Sequence, residues 1–243
     1  MDQAPQDKLA KNAGSTWGIL ETLTFGLLGF GISTIATIAV AILAIAFAGE
    51  KIIENLGFNL IVLIFTNLVF LAVILTYLIG KKVKLSQLGL RKPKSSSNWF
   101  LVIPTFFAYA GVLFVADTAL RYFLPELNLD QEQELVFKNA AGIYQMIIAG
   151  IALLVVAPVT EELIFRGFIF KGFRNKLGFL LAAIISSALF GIAHGQLNVA
   201  VDTFILGMFL CFLYEKSKSI WLPIALHAFK NGIAFYLIFF TSL

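Results

Sequence analysis

The chain reads as an all-α polytopic membrane protein with about seven transmembrane helices and a polar, candidate catalytic pocket among the C-terminal four. Three observations predict this. Of its 243 residues, 59% are hydrophobic and only 13% charged, where soluble domains run near 25% charged. The mean hydropathy is +0.90. The apolar runs are long and continuous, which suits helical spans and not the alternating strands of a membrane barrel. The net charge of +4 is no nucleic-acid signature. The basic residues cluster at the ends of apolar runs, where they set orientation. Membrane lipid, and no nucleic acid, is the expected surrounding.

Residues 1–15 form a polar tail with Asp2, Asp7, Lys8 and Lys11. It lacks the short apolar region and small-residue cleavage site of a removable signal peptide. Thr16 to Thr24 is mildly amphipathic and is expected at the membrane interface. The first span is about Phe25–Phe47, with Gly26, Gly29 and Gly31 suited to close helix packing. The second is about Gly57–Gly80. Lys81 to Ser97 is the one substantial basic loop. The third span is about Trp99–Leu120, with Pro104 and an intramembrane Asp117.

A longer acidic loop, Arg121 to Ala140, carries Glu126, Asp130, Glu132 and Glu134. The fourth segment, Gly142 to about Arg174, is too long for one straight span at about 1.5 Å per residue. Pro158 can bend it. The fifth span is about Leu177–His194, the sixth Val199–Tyr214 and the seventh Ile220–Phe240. The organisation is one domain: the tail 1–15, three spans with their loops over 16–140, and a helical core over 141–243.

Seven alternating spans divide the cations unevenly. Lys8, Lys11, the six of Lys81–Lys94, Lys171, Arg174, Lys176, Lys216 and Lys218 fall on one side; Lys51, Arg121 and Lys138 fall on the other. That asymmetry puts the N-terminus in the cytoplasm. The expected location is the plasma membrane of a prokaryote. The single Cys211 excludes an intramolecular disulfide and reads as a packed core thiol.

Glu161, Glu162 and Arg166 lie inside an apolar stretch, where each charge costs about 2.5–3.5 kcal/mol at a bilayer centre. Glu162 and Arg166 are i and i+4, share a face and can neutralise each other. Glu161 points about 100° away and has no local partner. A structural cluster with Glu161 protonated, or a site that needs a carboxylate out of bulk water, would each explain the three charges. The two histidines, His194 and His227, both fall in apolar spans. His227 and Asn231 are i and i+4 and present an imidazole and an amide on one face, suitable donors toward an oxyanion. Phe190 shares a face with His194, as pocket wall or as plain packing. Asp202 is a further buried carboxylate. Lys230 is expected to snorkel or to pair with an acid.

Glu161-Glu162-x-x-x-Arg166, Phe190-x-x-x-His194 and His227-x-x-x-Asn231, in this order on apolar helices, resemble the three motifs of the CAAX-protease and bacteriocin-processing family of intramembrane proteases. Gly167 after the arginine adds to the likeness, which covers roughly 142–240. The resemblance implies an intramembrane endopeptidase acting on a membrane-anchored or lipidated, CAAX-like peptide. It implies that Glu161 and His194 activate a water, that His227 and Asn231 hold the oxyanion, and that Glu162, Arg166 and Phe190 support them. The cofactor is open. A metal-free glutamate mechanism is favoured, with zinc on Glu161, His194 and His227 as the alternative. A different class, a proton- or ion-coupled transporter using Glu161, Asp202 and the histidines, lacks inverted repeats and paired broken helices. One mismatch stands. Counted from the basic ends, His227 lies about 10 Å into its helix and His194 about 25 Å into its own.

Overall fold

The computed structural model describes residues 17–127, 129 and 142–241. The tail 1–15 lies outside the described residues, as does most of the acidic loop, with Asp130, Glu132, Glu134 and Lys138. Seven helices are described: α1 (Ile19–Ala48), α2 (Leu56–Gly80), α3 (Val102–Phe123), α4 (Ile143–Leu177), α5 (Phe179–Ile192), α6 (Leu197–Ser217) and α7 (Trp221–Phe240). Among the described residues six helical stretches are long and apolar enough to cross a membrane; α5, at 14 residues, is shorter. There is no strand among the described residues.

The bundle is apolar outside and partly polar inside. Ile35, Phe47 and Phe107 are exposed, as befits side chains that meet lipid. Glu162, Arg166, Ser186 and Ser187 are buried. In hydrocarbon a charge is cheapest where other helices surround it.

Within the stretch expected at the interface, residues 17 and 18 lead directly into the first helix at Ile19. Trp17 is buried, donates from Nε1 to Phe168 O at 3.0 Å and stacks on the Phe168 ring. A large ring with one N–H gains more from this pocket in α4 than from the surface. Of the three glycines in α1, Gly29 faces the Phe70 ring of α2, which leaves no room for a Cβ. Gly26 and Gly31 face open space. Cys211 is buried, as expected.

The basic loop is an ordered strap across one end of the bundle. Ile220 donates to Gly89 O at 2.9 Å, Lys94 to Ser217 O at 3.2 Å and Ser219 Oγ to Arg91 O at 2.7 Å. Gly89 has φ 89°, and a Cβ there would stand 2.6 Å from the Tyr214 ring. Only glycine combines that backbone with that neighbour. At the same end Lys81 meets Glu21, and Arg174 meets Glu215. Trp17, Lys81, the strap, Arg174 and Lys218 therefore share one end, as the alternating count required.

Helix α4 is not one regular helix. Turns of π-helix at Ala152–Val156 and Leu163–Phe170 flank a short α segment, Ala157–Glu162, that contains Pro158. Proline has no N–H and its ring crowds the preceding turn, so widening that turn to the π register accommodates it. At 35 residues α4 overruns the bilayer core, and Gly178, φ 76°, turns the chain into α5 beyond the level of the Arg174–Glu215 pair. Helix α5 is short, 14 residues. His194 lies just past its end, so the fifth helix stops short of the expected His194.

Candidate active site

Buried charge on α4 is paired from two directions, with Glu162 Oε2, Arg166 Nε and Arg166 Nη2 left without a hydrogen-bond partner. Arg166 Nη1 donates to Glu162 Oε1 at 2.8 Å, with both side chains fully buried. The guanidinium also lies 4.3 Å from the centre of the Phe190 ring, a cation–π contact that is worth most where water is absent. The i, i+4 pairing is therefore made. It is not the whole environment of Glu162: the same Oε1 accepts from His227 Nδ1 at 3.0 Å. A carboxylate bound to a buried arginine has only acceptors to offer, so His227 Nδ1 carries the hydrogen. That fixes the ring and turns Nε2 outward, 3.7 Å from Glu161 Oε2.

Glu161 keeps 16% of its side-chain surface, against none for Glu162. The adjacent carboxylates thus separate as their directions on the helix foretold. One is locked inside; the other borders an accessible space and faces an imidazole.

Phe190 is fully buried between the two histidines. Its ring lies edge-on to His194 at 4.8 Å and to His227 at 5.7 Å. His194 Nδ1 donates to Phe190 O at 2.8 Å. The two imidazoles therefore flank one ring. The polar partner of Glu161 is His227, and that of His194 is the Phe190 carbonyl.

Asn231 has a local reason for its place. Ala157 donates to Ala152 O, five residues back. In that register the partner of Leu153 O would be residue 158, a proline without an N–H. Asn231 Nδ2 fills the vacancy, donating to Leu153 O at 2.9 Å. An unpartnered carbonyl inside a membrane bundle costs several kcal/mol, so Asn231 docks α7 on the break in α4.

Asp202 and Lys230 form an ion pair at 2.8 Å, and the Tyr109 hydroxyl donates to Asp202. Lys230 pairs with an acid and does not reach past it. Asp117 pairs with Arg121 at 2.8 Å on a half-exposed surface of α3. An apolar groove of about 460 Å³ lies between α1, α2, α4 and α5, with Phe70, Phe165 and Ile169 on its walls. Ala193 and Gly195 bring it to both sides of His194. Phe165 links it to the site through its ring contact with Phe190 at 4.9 Å. Sequence reasoning missed this groove, since its wall comes from four helices with no common motif.

Among the described residues no three His, Cys, Asp or Glu side chains stand close enough to hold one metal ion. Glu161 and His227 face each other, but His194 does not complete a three-donor set with them. The residues do not fit a zinc site of that kind.

The comparisons agree with the motifs. Residues 143–233 match the family model described as type II CAAX prenyl endopeptidase Rce1-like. A Bacillus subtilis protein named as a candidate membrane peptidase, YdiL, is 40% identical over 77 residues, 32% of each chain. The membrane-embedded CAAX protease MroQ of Staphylococcus aureus is 29% identical over 84 residues, 32% of this chain and 34% of that one. The protein YbdJ of Lactococcus lactis is 27% identical over 140 residues, 56% and 61% of the two chains. The matches thus span about a third of the length of the first two relatives. No solved structure matches this chain significantly. Residues 143–233, the stretch that carries all three motifs, are similar to the Rce1-like type II CAAX prenyl endopeptidases.

Proposed function

We propose that this protein is an intramembrane endopeptidase that hydrolyses a peptide bond in a membrane-anchored or lipidated, CAAX-like substrate. The observation that carries this reading is the relay Arg166–Glu162–His227, which ends with Nε2 facing the Glu161 carboxylate at 3.7 Å. A carboxylate base and an oriented imidazole thus face each other at the edge of the buried cluster. Glu161 takes a proton from water as its oxygen bonds to the carbonyl carbon, with His194 as the imidazole that shares that proton. His227 acts as an imidazolium, with Nδ1–H on Glu162, so that its Nε2–H and the second N–H of Asn231 both donate to the oxygen that gains charge. Glu162, behind the ring, stabilises positive charge on His227, as a carboxylate does behind a triad histidine. Glu161 then returns the proton to the nitrogen as the carbon–nitrogen bond breaks. The groove beside His194 supplies an apolar path for a lipid chain. The transporter reading is weaker, because Asp202 is tied to Lys230 and Tyr109 and is not poised in a relay.

The Lys/Arg-rich end, with the N-terminus, faces the cytoplasm in this reading, and the protein resides in a prokaryotic plasma membrane. The family match over 143–233, the CAAX protease relative and the loop charges support these assignments. The test is purified protein in nanodiscs with a fluorogenic farnesylated CAAX peptide, in water enriched in heavy oxygen. Cleavage with one heavy oxygen in the new carboxylate, unaffected by a chelator, is expected. Intact peptide under all conditions overturns the peptidase reading. Loss of activity to chelation and recovery with zinc overturns the metal-free mechanism.

A further inference from the structure

A second polar cavity, of about 340 Å³, opens at the basic end of the bundle, away from the histidines. Its walls come from three places: Arg91 on the strap, Lys171 and Arg174 at the end of α4, and Tyr214, Glu215 and Lys218 at the end of α6. Four cations thus surround one carboxylate. Glu215 serves two of them, at 3.1 Å from Arg174 Nη2 and 2.6 Å from Lys218 Nζ. Arg91 Nε donates to Lys218 O at 2.7 Å, and Lys171 Nζ donates to Gln87 O and lies 5.4 Å from the Trp17 ring centre. Neither has a carboxylate partner among the described residues. Arg174 Nε is buried and has no hydrogen-bond partner.

The fold goes to some length to hold these cations together. Lys218 adopts a left-handed backbone, φ 54°, unusual for a side chain other than glycine or asparagine, and its carbonyl is the one that receives Arg91. Gly89 leaves room for the Tyr214 ring that floors the cavity. Like charges so gathered repel unless an anion joins them. The cavity lies at the helix ends, where basic residues are suited to lipid headgroups.

We propose that this cavity binds a phosphate group, and that at this depth the group is the phosphodiester of an anionic phospholipid. Arg91 and Arg174 supply planar forks suited to phosphate oxygens, and Lys171 and Lys218 supply point charges. The lipid would bridge the strap, α4 and α6, about 15 Å along α4 from Glu161. The inference does not depend on the peptidase reading.

The experiment is native mass spectrometry of the full chain in mixed phosphatidylglycerol and phosphatidylcholine micelles. The variants are Arg91→Gln with Lys171→Gln, which strand no acid, and Lys176→Gln as an exposed cation outside the cavity. Wild type and Lys176→Gln are expected to retain phosphatidylglycerol over phosphatidylcholine. The double variant is expected to lose that retention by about fivefold or more per charge removed, with unchanged thermal unfolding in the absence of added lipid. Equal retention of both lipids by the wild type, or unchanged retention by the double variant, overturns the proposal. Displacement by millimolar inorganic phosphate would keep the phosphate site and overturn the lipid as its source.

Discussion

His227 Nδ1 and Arg166 Nη1 share one acceptor, Glu162 Oε1, at 3.0 Å and 2.8 Å. Glu162 therefore does two things at once: it neutralises the arginine and aims the histidine. Removing it breaks both. Glu162→Gln or Arg166→Met is expected to destabilise the fold by about 3–5 kcal/mol, because each strands a fully buried partner. The double replacement Glu162→Leu with Arg166→Met should recover much of that stability and none of the peptidase activity. Thermal unfolding in detergent, run beside the cleavage assay, separates these outcomes.

Asn231 closes the gap left by Pro158, and in the proposed mechanism its second N–H also serves the oxyanion. Asn231→Ala should therefore cost twice. Exposing Leu153 O to an apolar surrounding is worth about 1–3 kcal/mol of stability. Loss of an oxyanion donor is worth about 10²–10³ in kcat. A variant that unfolds earlier with kcat intact would restrict Asn231 to its structural part.

Gly207 lies under Arg166 and Ser187. A Cβ there would stand 2.7 Å from Ser187 Oγ and 3.1 Å from Arg166 Nη2. Gly207→Ala should cost about 1–3 kcal/mol as overpacking and disturb the arginine. Gly31→Ala, which meets nothing within 4 Å, should be neutral or mildly stabilising. Unfolding midpoints of the two variants compare them directly.

Much of this was legible in the residues. The helical class followed from hydropathy, and the grouping of basic loops at one end followed from alternation. The separation of Glu161 from Glu162 followed from helix geometry. Other features were not legible. The π turns around Pro158 depend on which carbonyl finds a partner on another helix, here Asn231. The bond from Glu162 to His227 joins residues 65 apart, and no local spacing encodes it. That His194 and His227, on separate segments, both meet the Phe190 ring is likewise encoded by no local spacing.

Asp202 gives a test between enzyme and transporter. It is held by Lys230 and Tyr109. Asp202→Asn is expected to keep cleavage within a few-fold of the wild type, at some loss of stability. A proton-coupled transporter using Asp202 would lose its function altogether, measurable as abolished proton uptake in liposomes.

The most direct test is the rate of Glu161→Gln on the farnesylated CAAX peptide, with the variant's unfolding temperature measured alongside. Glutamine keeps the shape and removes the base. The account predicts a fall in kcat of at least about 10²-fold, with a fold as stable as the wild type. A Glu161→Gln protein that cleaves at close to the wild-type rate would contradict it.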